Sequence, residues 1–290
     1  MAGLELTTEG RKVNLKGVTF NRIVRVASRL RSVLTNNKRP STGEDFVPPS
    51  ELQFVGDGDF VQIGNEFLNH FITLGQLRQN ERVLDVGCGV GRMAVPLTQY
   101  LTSGGRYEGF DIVEDGILWC QKKVTPHYPN FRFRFVDVRN PAYNPTGSLN
   151  PVTFGFPYKD ASFDFAFLTS VFTHMLPAEV DHYLSEISRV LKGDGRAFVT
   201  FFVLCEESLT SMKAGSSHLD FKYNLGGCRT TNAEIPEAAV AYEEGVLRES
   251  FLRRGLTIIE PIHRGAWSGR PDFVSYQDIV LASRTSGSGA

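Results

Sequence analysis

The sequence predicts an α/β fold: a mostly parallel sheet covered by helices on both faces and closed by an antiparallel pair. Three observations carry this. Apolar strand patterns and amphipathic helix patterns alternate from Arg82 onward, the signature of a parallel sheet with crossover helices. The first strand runs into "VLDVGCGVGR" (Val83 to Arg92), with glycines at 87, 89 and 91, where backbone must be approached closely or bend sharply. The last two strand patterns are linked only by "HRGAWSGRPDF", shorter than the dozen or so residues a parallel crossover needs.

In chain order, Asp59 to Leu77 reads as a helix with Phe60, Ile63, Phe67, Leu68 and Phe71 on one face. Strand and helix then alternate: strand Arg82 to Val86, helix Val90 to Leu101, strand Arg106 to Phe110, helix Asp115 to Val124, strand Phe131 to Val136. A Pro-rich stretch, "VRNPAYNPTGSLNPVTFGFPYKDAS", is too long for a mere connector and marks a functional loop. Strand Phe163 to Leu168, helix Ala178 to Leu191 and strand Arg196 to Leu204 follow. A polar insertion at 206–235 reads as a lid, Pro236 to Arg253 as a helix, and Leu256 to Ile262 and Val274 to Ala282 as the closing strands. Residues 1–50 read as a basic helix and linker, 51–283 as the main domain, and 284–290 as a disordered tail.

Composition is that of a soluble globular protein: 290 residues, 41% hydrophobic, 22% charged, net charge −1. This balance lacks the electrostatic footprint of a nucleic-acid binder, so no nucleic-acid partner is expected. The four cysteines form no CxxC pair and no metal-ligand spacing, which fits a reducing, cytoplasmic location; no metal ligand is assigned, and a divalent ion that orients a diol stays open. Charge is uneven, however. Nine Lys or Arg and no acid fall between Arg11 and Arg39, with Phe20, Ile23, Val24, Ala27, Leu30 and Leu34 at helical spacing. Such a basic amphipathic helix either docks on its own domain or lies on an anionic membrane surface.

The glycine turn lies between the first strand of the sheet and its first helix, where backbone N–H groups and the helix dipole favour an anionic group. A dinucleotide pyrophosphate and the carboxylate of an amino-acid-like cofactor both fit. The spacing is G-x-G-x-G, with Arg92 where the dinucleotide fingerprint has its third glycine. Asp111 ends the second strand, placed for ribose hydroxyls, and Asp137 ends the third, placed for an adenine amino group.

With these motifs, and with "YEGFDI", "FVDV", "FDFAFLTSVFTHM" and "RVLKGDGRAFVTF", the stretch from Arg82 to Ala282 resembles the class I S-adenosylmethionine-dependent methyltransferases. The resemblance implies a three-layer, Rossmann-like sandwich around seven strands, the last inserted strand antiparallel. It implies S-adenosyl-L-methionine as cofactor, leaving as S-adenosyl-L-homocysteine. Asp85, Gly87, Cys88, Gly89, Gly91 and Arg92 would surround its methionine end, Asp111 and Ile112 its ribose, and Asp137 and Val138 its adenine.

The fourth strand delivers "LTSVFTHMLP" to the same end of the sheet. Thr169 and Ser170 can contact the cofactor there, and Phe172 can wall the methyl group, since an aromatic face attracts a cation. His174 is the best-placed imidazole for a general base toward a hydroxyl acceptor, the other reading being a helix cap. His263, Trp267, Arg270 and Tyr276 of the closing pair are candidates for the acceptor pocket, an aromatic and polar set suited to a saccharide or other polyol. The expected activity is therefore methyl transfer to a hydroxyl of a small molecule or glycan. The alternatives are an NAD-dependent oxidoreductase and a non-catalytic cofactor-binding module.

Overall fold

The computed structural model describes residues 46–53 and 58–284. The basic helix expected before residue 36 and the tail after Arg284 lie outside the described residues.

Helix α1, Phe60–Thr73, starts on Asp59, whose carboxylate accepts the Gln62 N–H at 2.7 Å, a side-chain N-cap. Its stripe buries Phe71 against Phe165, Phe167 and Phe198. Strand β1 (Arg82–Val86), helix α2 (Ala94–Tyr100), β2 (Arg106–Asp111), α3 (Glu114–Lys123), β3 (Phe131–Phe135), β4 (Phe163–Leu168) and α4 (Pro177–Val190) follow in the predicted order. α2 begins four residues later than its apolar pattern suggests. Gly91, at φ 79°, is left-handed and cannot lie in a helix. Strand β5, Leu191–Leu204, leaves α4 directly and is longer than expected.

β1 to β5 are mutually parallel, and β10 (Asp278–Arg284) runs antiparallel between β5 and β9 (Leu256–His263). The seven strands therefore stand in the order β3-β2-β1-β4-β5-β10-β9, with the inserted last strand antiparallel as expected. Three further strands extend this sheet. The 206–235 insertion contains helix α5 (Glu206–Ala214) and a small hairpin, β6 (Tyr223–Asn224) with β7 (Cys228–Thr230).

The helix expected over Pro236 to Arg253 is split. Val240–Glu243 forms β8, parallel to the last residues of β5, and only Glu244–Arg253 is helix α6. Val240, Ala241 and Tyr242 are buried there, and the Tyr242 hydroxyl donates to the Met175 carbonyl at 2.7 Å. Pairing and burial override the local helix preference. The domain also begins earlier than residue 51, because Phe46 is buried against His127 and Tyr128.

The insertion expected to act as a lid is tied to the sheet at one point. Phe221 is fully buried against Phe202 and Trp267, so the segment is anchored to the sheet beside the closing pair. Trp267 itself is tied to Asp278, whose buried carboxylate accepts the indole N–H at 2.6 Å, the Val203 N–H at 2.7 Å and the Gly265 N–H at 2.8 Å. Burial pushes this carboxyl's pKa up, opposed by the three donors.

Trp267→Phe keeps most of the ring volume but removes one donor from a buried carboxylate, and should cost about 2 kcal/mol. Urea unfolding should show a lower midpoint with an unchanged slope.

Candidate active site

The order of the sheet reverses at β1, between β2 and β4, and beyond the carboxyl ends of these strands lies the expected crevice of an open α/β sheet. A cavity opens there, lined by residues at the carboxyl ends of β1 to β4 and in the segments that follow them.

The glycine turn forms one wall. Gly87, Gly89 and Gly91 all have positive φ, at 82°, 53° and 79°, and Gly87 and Gly89 line the cavity. A side chain on Gly87 would collide with Val171, and a Cβ on Gly91 would stand 3.0 Å from Cys120 Sγ. Two of the three glycines are thus demanded by protein packing as well as by backbone geometry. Gly89 N–H donates to Asp111 Oδ2 at 2.7 Å, and Val113 N–H donates to Asp111 Oδ1 at 2.8 Å. Asp111 lines the cavity, and each of its oxygens retains a further lone pair. Burial raises its pKa, while these backbone donors pull it down.

Asp85 is buried and does not line the cavity. Its Oδ2 accepts the Tyr107 hydroxyl at 2.6 Å, and its Oδ1 has no hydrogen-bond partner. Burial drives its pKa well up. Three expected cofactor contacts face elsewhere. Cys88 is buried beside Gly109, Gly91 packs on Cys120, and the Arg92 guanidinium lies over the Phe60 ring of α1, 5.9 Å from its centroid.

After β3, Asp137 also departs from its expected role. Its Oδ1 accepts from Asn144 Nδ2 at 3.1 Å and its Oδ2 from Ser148 N–H at 3.0 Å. These donors hold its pKa low. The carboxylate pins the Pro-rich loop and does not line the cavity. The loop itself supplies the wall: Val138, Arg139, Asn140 and Tyr143 line it, beside Ile112 and Val113. Asn140 Oδ1 accepts the N–H groups of Ala142 and Tyr143 at 2.9 and 3.1 Å, closing the turn that presents Tyr143.

After β4, Thr169, Ser170 and Val171 line the cavity, followed by His174, Met175, Glu179 and Tyr183. His174 Nδ1 is 2.9 Å from the Glu237 carbonyl. A carbonyl only accepts, so Nδ1 carries the proton and Nε2 keeps its lone pair. Burial lowers the pKa of this imidazole, against the backbone contacts that raise it, so it is neutral at physiological pH. Tyr143 meets its ring edge-on at 5.8 Å. Glu179 Oε2 accepts the Leu176 N–H at 2.8 Å, and burial raises its pKa.

The remaining expected acceptor residues lie outside the cavity. Phe172 is fully buried against Phe201 at 5.1 Å. His263 ends β9, paired with Ile279. Trp267 is locked to Asp278, and Arg270 pairs with Glu207 at 3.1 Å. Tyr276 is half-exposed and stacks on His218 at 6.2 Å. Among the lining residues that sequence reasoning missed are Tyr143, Met175, Glu179 and Tyr183. The unusual length of the Pro-rich stretch was the one signal toward Tyr143, and the inward stripe of α4 hid Tyr183 among core residues.

Residues 84–199 match the family model of the methyltransferase domain. Over that stretch the chain is similar to methyltransferase domains. S-adenosylmethionine, the cofactor implied by the motifs, is consistent with that match. The domain's fold recurs in solved structures. The PH0226 protein of Pyrococcus horikoshii OT3 is 15% identical over 81% of this chain and 94% of that one, with a TM-score of 0.52. The [4+2]-cyclase SpnF is 18% identical over 77% and 80%, with a TM-score of 0.50. The 1,6-didemethyltoxoflavin-N1-methyltransferase of Burkholderia thailandensis, solved with S-adenosylhomocysteine, is 19% identical over 79% and 80%, with a TM-score of 0.48. The first two likenesses show the fold. A cyclase among them illustrates that the fold does not fix the reaction.

The residues present fit the cofactor. Asp111 offers free lone pairs for ribose hydroxyls, Ile112, Val113 and Val138 give a purine an apolar surround, and the left-handed glycine turn leaves backbone open to the amino-acid end.

Asp111→Ala leaves the Gly89 and Val113 N–H groups without their acceptor, and should cost roughly 2–4 kcal/mol on the usual penalty for two buried unpaired donors. Urea unfolding checks this; a loss below about 0.5 kcal/mol would show that the carboxylate does not anchor the turn.

Proposed function

We propose that this chain moves a methyl group from S-adenosylmethionine to a hydroxyl of a small molecule, with His174 as proton acceptor. The observation that carries the reading is an imidazole held through Nδ1 on the Glu237 carbonyl, in the same cavity as Asp111 and the glycine turn. The bound cofactor supplies a methyl group made electrophilic by the sulfonium charge. The chain's part is to align the acceptor oxygen in line with that group and to remove its proton. Alignment accounts for the larger share of such catalysis, and a positioned base adds about 10²–10⁴-fold.

The Nε2 lone pair of His174 is the proton's destination. Tyr143 against its ring and Glu237 behind it fix the imidazole, so little reorientation is needed at the moment of transfer. The choice of a small molecule over a saccharide rests on the lining. Met175, Tyr143 and Tyr183 favour an acceptor with an apolar body, and the residues suited to a sugar ring, Trp267 and Arg270, are committed to other partners.

S-adenosylhomocysteine at saturation should raise the melting temperature, and NAD should not; the reverse would favour an oxidoreductase. A purified protein that binds the nucleoside but methylates none of a panel of phenols and alcohols would be a binding module. His174→Ala should leave S-adenosylhomocysteine affinity unchanged and cut turnover by about 10²–10⁴-fold. The sign of the pH dependence follows from the lowered pKa. The imidazole is the active, neutral form above its pKa, so the wild-type rate should fall only on an acid limb below the ordinary histidine value of about 6.5. The variant should lack that limb. Full activity of His174→Ala across about pH 6 to 9 would remove the base from the mechanism.

A further inference from the structure

On the side of the sheet that α4 covers, Leu84, Val86 and Phe110 share a core with Phe156 and Tyr183. That core stops short of the sheet's edge. Successive side chains along a strand alternate between faces, so Arg82 shares this face with Leu84, and Arg106 and Glu108 share it with Phe110. The register sets Arg82 beside Arg106, Arg132 beside Glu108 and Arg134 beside Phe110.

Arg82, Arg106, Arg132 and Arg134 are all exposed. None of them makes an ion pair or a side-chain hydrogen bond with a described residue. Glu108, the acid among them, is half-buried; burial raises its pKa, and the same four arginines pull it down. The face thus sets four positive charges against one negative in a chain whose net charge is −1. Nearer α4 the cations are matched: Lys192 pairs with Asp164 at 2.6 Å, and Arg189 with Glu186 at 2.6 Å and Asp160 at 2.8 Å. None of the five patch residues lines the cavity, so the unmatched charge is separate from the candidate active site.

A guanidinium fork matches a carboxylate or a phosphate. The patch crosses three strands, about 10 Å, with about 7 Å between Arg132 and Arg134, the reach of a short extended peptide. The nearest ring, Tyr158, lies under the Arg134 guanidinium at 5.8 Å and its hydroxyl is buried, which leaves no platform on which a base would stack. No large exposed apolar side chain of the described residues stands on β1, β2 or β3, so the face offers nothing to insert into a bilayer. The β3 edge is also occupied: the Phe131 and Phe133 carbonyls accept from Thr125 Oγ1 at 3.0 Å and Gln121 Nε2 at 2.9 Å. Recognition there falls to the arginine side chains rather than to an added strand.

We propose that this arginine face docks an acidic segment of a partner protein, whose carboxylates pair with Arg82, Arg106, Arg132 and Arg134. The inference is independent of the reaction in the cavity.

The test is fluorescence anisotropy of the full chain with a labelled oligoglutamate peptide of about eight residues, long enough to cross the patch. Binding should weaken as salt rises. Arg106→Glu combined with Arg132→Glu should weaken it about tenfold or more, while Glu108→Gln should tighten it about threefold. The segment from Arg11 to Arg39 is basic as well, so Arg25→Glu combined with Arg29→Glu is the matched control, expected to change affinity less than about threefold. S-adenosylhomocysteine affinity should be the same in every variant that folds. Arg82→Gln and Glu108→Gln carry the comparison should the double reversal fail to fold. No peptide binding, an equal loss in the control pair, or no response to the patch variants would overturn the proposal. Tighter binding of oligouridylate or phosphatidylserine vesicles than of the peptide, lost in the patch variants, would overturn it in favour of a nucleic acid or a membrane.

Discussion

One buried carboxylate holds the two halves of the cofactor end together. Asp111 ends β2, yet its two oxygens bind backbone N–H groups on both sides of the switch point, Gly89 in the turn after β1 and Val113 at the start of α3. Charge-assisted bonds of this kind are among the stronger ones a protein makes. They constrain a loop whose glycines would otherwise leave it the most freedom in the chain. A carboxylate that serves as an anchor can still serve a ligand, because each oxygen has spent only one lone pair. The same side chain thereby orders the turn and lines the cavity.

The wall facing that seat is built from the opposite direction. Val171 packs on Gly87, and Ser170 is clamped between β5 and Gln277, the residue just before β10. β10 is the antiparallel strand inserted between β5 and β9, so the closing pair reaches the site through Gln277 without exposing its aromatic residues to the cavity. The distant strand matters to the site through its edge.

Much of the fold was legible in the sequence because the strands are buried on both faces and read as continuous apolar runs, as in "FDFAFL" of β4. The antiparallel end was legible from the shortness of a connection. β8 was not, since "VAYE" sits beside strong helix formers and becomes a strand only because β5 extends past β4 and offers an edge. The glycine turn and Asp111 were legible because backbone geometry restricts residue choice there. The acceptor end was not, because aromatic and polar residues suit a pocket and a packed corner equally well. Trp267 filled the corner, and Tyr143 on the Pro-rich loop took the pocket.

Three strand-end aspartates make the general point. Asp111, Asp137 and Asp278 are alike in sequence, each next to an apolar run at the sheet's rim. Asp137 is wrapped by its own loop through Asn144 and Ser148, and Asp278 is enclosed by an indole and two backbone donors with 1% of its surface exposed. Only Asp111 combines a fixed position with a face on the cavity. What separates Asp111 from the other two is that its surroundings leave it on the cavity wall. Contacts made by loops many residues away decide that, and no local pattern encodes it. The same reasoning applies to Ser170, whose unremarkable "TSV" context gives no hint that its conformation is set from β5 and β10.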